Sequence, residues 1–195
     1  MSKKTEPVSR TRMLSRQNLI AAFERLFPQK PIEKISIKEI TDAAGYNRST
    51  FYLYFKDIYE LADAFESAVL VEVSEVVGNV IKQNANLPLA DLIGLMAPAA
   101  SSHIDRIYLC SQLPGFPEKF RTVLQPLFET ITGIDSSRPE HDFLLSLLSS
   151  ILLHNISFLH EHGDAFSAEE ATRISRSLIA PGLMDLIADY KKNRA

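Results

Sequence analysis

Cysteine is nearly absent from this 195-residue chain: Cys110 stands alone, which excludes an internal disulfide and a cysteine-built zinc cage. A single buried thiol behaves as a small hydrophobe, and that is the role expected of it. No Gly-rich phosphate loop, G-x-S-x-G elbow or Cys/His pair occurs. The five histidines, His103, His141, His154, His160 and His162, never adopt the i, i+4 spacing with a nearby acid that builds a metalloprotease helix. Catalysis is therefore not expected, and neither is a metal or cofactor. No unbroken apolar run approaches the roughly 18 residues that a membrane span needs, so no membrane contact is expected. The basic opening "MSKKTEPVSRTR" leads into no apolar h-region, so the expected location is the cytoplasm. Strand signals are scarce as well: period-two alternation never persists, and β-branched residues are scattered. There is no internal repeat and no low-complexity tract.

What the chain does hold is apolar residues recurring at three and four, the mark of amphipathic helices. A first helix is expected from about Thr11 to Phe27, its stripe formed by Leu19, Ile20, Ala22, Phe23, Leu26 and Phe27, with Pro28 and Pro31 ending it. Ser36 followed by Glu39 is a capping box for a short helix, Ile37 to Ala44, which Gly45 closes. Asn47 caps a third, Arg48 to Tyr54, and Asp57 a long fourth that reaches about Asn84. Further helices are expected over 87–99, 101–112, 118–132, 140–162 and 168–192, separated by "LPGFP", "GIDSSRP" and "HGDAFS". The fold class is all-α, about nine helices in total. A three-helix amino-terminal domain, 1–56, carries a flexible basic arm at 1–10, and a helical domain follows over 57–195.

The net charge of −3 hides an asymmetry. Residues 1–58 carry eleven Lys and Arg against six acids, a net +5, whereas the remainder is −8. A basic head on an acidic body fits a polyanion that meets only the head. Within that head, "TDAAGYNRSTFYLYF" crowds five rings around Arg48, Ser49 and Thr50 in a chain that is 9% aromatic. On a helical wheel Phe51 and Phe55 fall about 40° apart and form one apolar edge, with Ser49 and Leu53 roughly opposite. Arg48 and Tyr52 flank one side, Thr50 and Tyr54 the other. A tight Gly turn between two short helices, the second offering Arg, Ser, Thr and Tyr, describes a helix-turn-helix. Arginine can take a guanine edge or a phosphate, and hydroxyls serve either.

"SIKEITDAAGYNRSTFYLYFKDIYEL", Ser36 to Leu61, resembles the DNA-binding signature of the TetR/AcrR transcriptional regulators, and "AAFERLF" in the first helix is similar too. The resemblance covers about residues 11 to 61. It implies that Arg48, Ser49 and Thr50 approach bases and nearby phosphates, while Tyr52, Tyr54 and Ser36 give hydroxyls to phosphates. Where many members carry lysine at the start of the fourth helix this chain has Ile58, which leaves Lys56 to supply that contact. Tyr54 stands where many members have His, and Pro31 replaces a Gly near the end of the first helix.

The segment "FLLSLLSSILLHNISFLHEHG" and the last helix are apolar over too wide a stripe for one buried face. A symmetric four-helix contact between two chains is the economical solution, with Leu144, Leu148, Ile151, Leu152, Asn155, Leu178 and Leu183 in the interface. The resemblance implies a homodimer too, reading two half-sites of a near-palindromic double-stranded operator. It also implies a small-molecule effector in the middle of the chain, where Met96, His103, Tyr108, Phe116, Phe120 and Phe128 mix apolar and polar character. The resemblance alone implies repression as the output. The alternatives are control by a protein partner, constitutive binding, or activation.

Overall fold

The computed structural model describes residues 6–84, 95 and 101–192. Those residues hold eight α-helices, joined by 3-10 turns and short loops. The expected helix over 87–99 lies outside the described residues. The chain divides into two compact units, Met1–Ala68 and Val69–Ala195, the division falling within one long helix.

In the first unit, α1 spans Glu6–Leu26, beginning five residues before the expected start and running into the stretch expected to be a flexible arm. Two 3-10 turns, Phe27–Gln29 and Ile32–Lys34, follow, because Pro28 and Pro31 cannot continue an α-helix. Then come α2 (Ile37–Ala44), α3 (Arg48–Tyr52) and the start of α4 (Ile58–Gln83). The expected stripe of α1 is the core face: Leu19, Ile20, Ala22, Phe23 and Phe27 are buried. Phe23 stacks on Phe27, with centroids 5.1 Å apart, and meets Phe65 edge-on at 5.8 Å. Ile40 of α2, Phe51 and Phe55 complete this core. Each such side chain contributes about 1.5–3 kcal/mol by leaving water.

In the second unit, α5 (Ile104–Ser111), α6 (Phe116–Thr132), α7 (Pro139–His162) and α8 (Ala168–Lys192) form a bundle with the rest of α4. Gly115 and Gly133 take left-handed φ of 82° and 64° at the two ends of α6, where "LPGFP" and "GIDSSRP" break the helical pattern. Both α5 and α6 pack on α7. Cys110 is fully buried, as a lone thiol acting as a hydrophobe should be. Arg121 pairs with Glu118 and reaches Asp142, tying α6 to α7, and the Glu118 carboxyl is held below its usual range chiefly by Arg121. By length and composition alone α7 is long and apolar enough to cross a membrane, although no unbroken apolar run in it reaches that length. Core helices of bundles pass the same test.

Candidate nucleic-acid interface and carboxy-terminal cavity

The turn between α2 and α3 is built residue by residue. Ser36 closes the capping box: its hydroxyl accepts from the Glu39 amide at 3.2 Å, while Glu39 Oε2 accepts from the Ser36 amide and hydroxyl at 2.9 and 2.8 Å. Lys30 pairs with the other carboxylate oxygen of Glu39. Gly45 sits at φ 74°, and the Tyr46 amide reaches back to Thr41 O at 2.9 Å, the six-to-one bond of a Schellman close. From α1, Asn18 Nδ2 donates to the Tyr46 hydroxyl at 3.1 Å and Arg25 donates to Ala43 O at 3.1 Å. The turn is thus pinned from behind.

Asn47 caps α3, its Oδ1 accepting from the Thr50 amide at 2.9 Å. The same oxygen accepts from the hydroxyls of Ser49 (2.6 Å) and Thr50 (2.9 Å). Both hydroxyls have their protons engaged there, so outward they present lone pairs, which suit the amino groups of adenine or cytosine. Phe51 and Phe55, 5.7 Å apart, are buried and anchor the inner face. Arg48, Ser49, Tyr52, Leu53 and Lys56 are exposed, and Thr50 and Tyr54 are half-buried. The Tyr52 ring stands edge-on against Phe51 at 5.6 Å and is 59% exposed. Ser36 is exposed, although its hydroxyl is committed to the capping box.

Two further residues belong to this surface. Leu53 is 78% exposed beside Tyr52. The Arg16 guanidinium lies 5.3 Å over the Phe55 ring, bringing a cation from α1 to the end of α3. Sequence periodicity held the angular position of Leu53 but no sign of its exposure, and it held no pointer to Arg16.

The second unit contains a cavity of about 170 Å³. Val73 and Val77 of α4, Ile104 and Ile107 of α5, Phe120, Leu124 and Phe128 of α6, and Leu145 of α7 form part of its wall. Of the residues expected in an effector pocket, His103, Phe120 and Phe128 line it. Tyr108 instead stacks on His160 at 3.8 Å, where His160 Nδ1 is 2.7 Å from Asp105 Oδ1. Phe116 is buried against Phe120, and Met96 lies outside the described residues. Of those expected in a dimer interface, Leu148, Ile151, Leu152, Asn155 and Leu183 line the cavity, Leu144 is half-buried, and Leu178 is 76% exposed.

The polar lining is sparse and mostly self-satisfied. Thr132, Ser149 and Thr172 donate to carbonyls of their own helices, and Asn155 Nδ2 donates to Ser175 Oγ at 2.9 Å. His103 Nδ1 lies 3.2 Å from Glu72, which also pairs with Arg106. Among the described residues no Lys, Arg, Asp or Glu lines the cavity. Among the described residues no three His, Cys, Asp or Glu side chains gather as metal ligands would.

Residues 19–65 match the family of bacterial regulatory proteins called the tetR family. Among solved structures, the TetR family repressor AlkX from Dietzia sp. strain DQ12-45-1b, implicated in biodegradation of n-alkanes, is similar with a TM-score of 0.56. That match covers 95% of this chain and 100% of the other at 17% identity. The dihydroxyacetone kinase operon activator DhaS is similar with a TM-score of 0.54, covering 90% of this chain and 97% of its own at 16% identity. At such identities the likeness is one of fold. No curated protein sequence matches the chain. With residues 19–65 matching that family and the turn, caps and anchored α3 all built as its signature requires, this chain carries a helix-turn-helix domain of the tetR family of bacterial regulatory proteins.

Proposed function

We propose that this protein is a homodimeric, sequence-specific repressor that covers a promoter and is released by a small molecule held in its carboxy-terminal domain. Residues 1–56 serve DNA and 57–195 serve effector and dimer, both in the cytoplasm. One observation carries the DNA reading: α3 buries Phe51 and Phe55 and leaves Arg48, Ser49, Tyr52 and Leu53 exposed on a domain of positive net charge. Arg48 and Ser49 meet base edges, and Thr50, its hydroxyl proton held by Asn47, meets a base amino group. The hydroxyls of Tyr52 and Tyr54, the Lys56 ammonium and the exposed start of α2 at Ser36 meet phosphates.

The cavity supports a ligand of stated chemistry. Its volume is close to the roughly 150 Å³ of an apolar cavity that holds benzene. With no Lys, Arg, Asp or Glu among the described residues of the wall, a charged ligand would lose hydration without compensation. The effector is therefore small, uncharged and largely apolar, with one group that bonds near Asn155 and Ser175. The reading is of a binding protein throughout, with no catalytic step.

Activation is the second reading, favoured by the operon activator of the same fold. Selection of genomic fragments by the purified protein, followed by footprinting, separates the two: a footprint over the promoter elements fits repression, one upstream of them activation. Affinity should fall steeply with salt as counterions are released. Arg48→Ala should weaken operator binding by about tenfold, roughly 1–3 kcal/mol if it is bidentate to guanine, with the helical content unchanged. Failure to retain any duplex at low salt would sink the proposal.

A further inference from the structure

We propose that Leu53 is a specificity-determining residue that packs against the C5 methyl group of a thymine in the major groove. The inference rests on the DNA-binding reading of α3. Leu53 is 78% exposed, more than any other large apolar side chain among the described residues. A lone surface leucine would be unremarkable, but the position of this one is set. Helical hydrogen bonds continue through it, from the Leu53 amide to Thr50 O and from the Tyr54 amide to Phe51 O. At 100° per residue, Phe51 and Phe55 each stand about 160° from Leu53 on the wheel. Both are buried, at 0% and 2% exposure, so the inner face of the helix is fixed and Leu53 lies along the outward one.

Ser49, one turn earlier and about 40° away, shares that ridge. Tyr52 on one side and Tyr54 on the other, whose hydroxyls suit phosphates, occupy the flanks. A helix presented this way lays its flanks toward the two backbones and its ridge toward the base edges. Leucine has no hydrogen bond to offer there. The major-groove edges of adenine, guanine and cytosine present polar groups, and thymine presents a methyl group. Apolar contact with that methyl is the favourable partner left to Leu53. Ser49, its proton donated to Asn47, faces the groove as an acceptor and suits an amino group nearby.

The test uses the full chain and an operator selected from genomic DNA. Each thymine is replaced in turn by deoxyuridine, which removes only the methyl. The wild-type protein should lose about fourfold in affinity at one thymine per half-site, the worth of one buried methyl, and roughly fifteenfold when both half-sites are changed. Leu53→Ala should bind the thymine operator more weakly and be indifferent to deoxyuridine at that position. Unchanged binding of every deoxyuridine operator, or an equal methyl effect in Leu53→Ala, overturns the assignment while leaving the DNA-binding reading intact. Selection of no duplex overturns both.

Discussion

At Glu39 one carboxylate closes the capping box of α2 and pairs with Lys30, so its contacts order the approach to the recognition helix. The Lys30 hydrogen bond, then those from the Ser36 amide and hydroxyl, lower its pKa from an ordinary 4.5 to about 2. A carboxyl whose pKa is lower in the folded state contributes stability above its unfolded pKa and loses it as pH falls through the folded one. The window is therefore about pH 4.5 down to 2. Glu39→Gln should melt earlier at neutral pH and lose less than the wild type across that window, read by circular dichroism. Because the site is exposed, the difference should shrink at high salt. The capping box was legible in the sequence because Ser and Glu at that spacing have one structural use before an apolar run. The same signature at Ser167 and Glu170 opens α8. Leu53 was not legible in the same way, since a leucine reads as core until its neighbours are known to be anchored on the other side.

Helix α3 is only five residues long, below the length at which an isolated helix holds itself, so its geometry depends on the elements around it. The left-handed Gly45 sets the angle between α2 and α3, and a Cβ there would meet nothing within 4 Å. Substitution is thus a clean measure of backbone strain. Gly45→Ala should destabilise the protein by roughly 1–2 kcal/mol, seen in the denaturation midpoint. Operator affinity should fall further than stability alone accounts for, as the two helices reorient. In the bundle the cavity makes its own demand. Benzyl alcohol at millimolar concentration should raise the melting temperature, while benzoate and benzylamine of the same size should leave it unchanged, because none of the described wall residues is a Lys, Arg, Asp or Glu. A benzoate shift larger than the alcohol's would remove the uncharged-ligand reading. The wall itself was only partly legible: His103, Phe120 and Phe128 were expected there, but Asn155 and Ser175 meet across α7 and α8, twenty residues apart, and no local spacing announces that pair.

Across the whole molecule the least legible feature was which side of α7 faces in. The helix is apolar nearly all round, so sequence alone assigned one stripe, Leu144 to Asn155, to a partner chain. Leu145 and Leu159 are buried, while Phe143 (68%), Leu147 (47%) and Phe158 (40%) form an exposed strip on the same helix, and Leu178 (76%) and Ile174 (42%) are exposed on α8. An apolar strip of this kind is wet in one chain and dry in a symmetric pair, and a second copy brings the same strip to meet it. Several of the residues that the sequence assigns to that contact line the cavity; in the proposed dimer a ligand there would press on the back of the pairing face and favour one spacing of the two heads. The test needs a substitution that breaks the pair without unfolding the chain. At 76% exposure, Leu178→Glu should change the fold of one chain by less than about 0.5 kcal/mol. It should nevertheless convert a dimer to monomer in sedimentation velocity, since it buries a charge against leucine. Operator affinity should fall by at least about tenfold, 1.4 kcal/mol, with the salt slope reduced towards that of a single head. A Leu178→Glu protein that still sediments as a dimer and binds normally would move the pairing surface off α7 and α8.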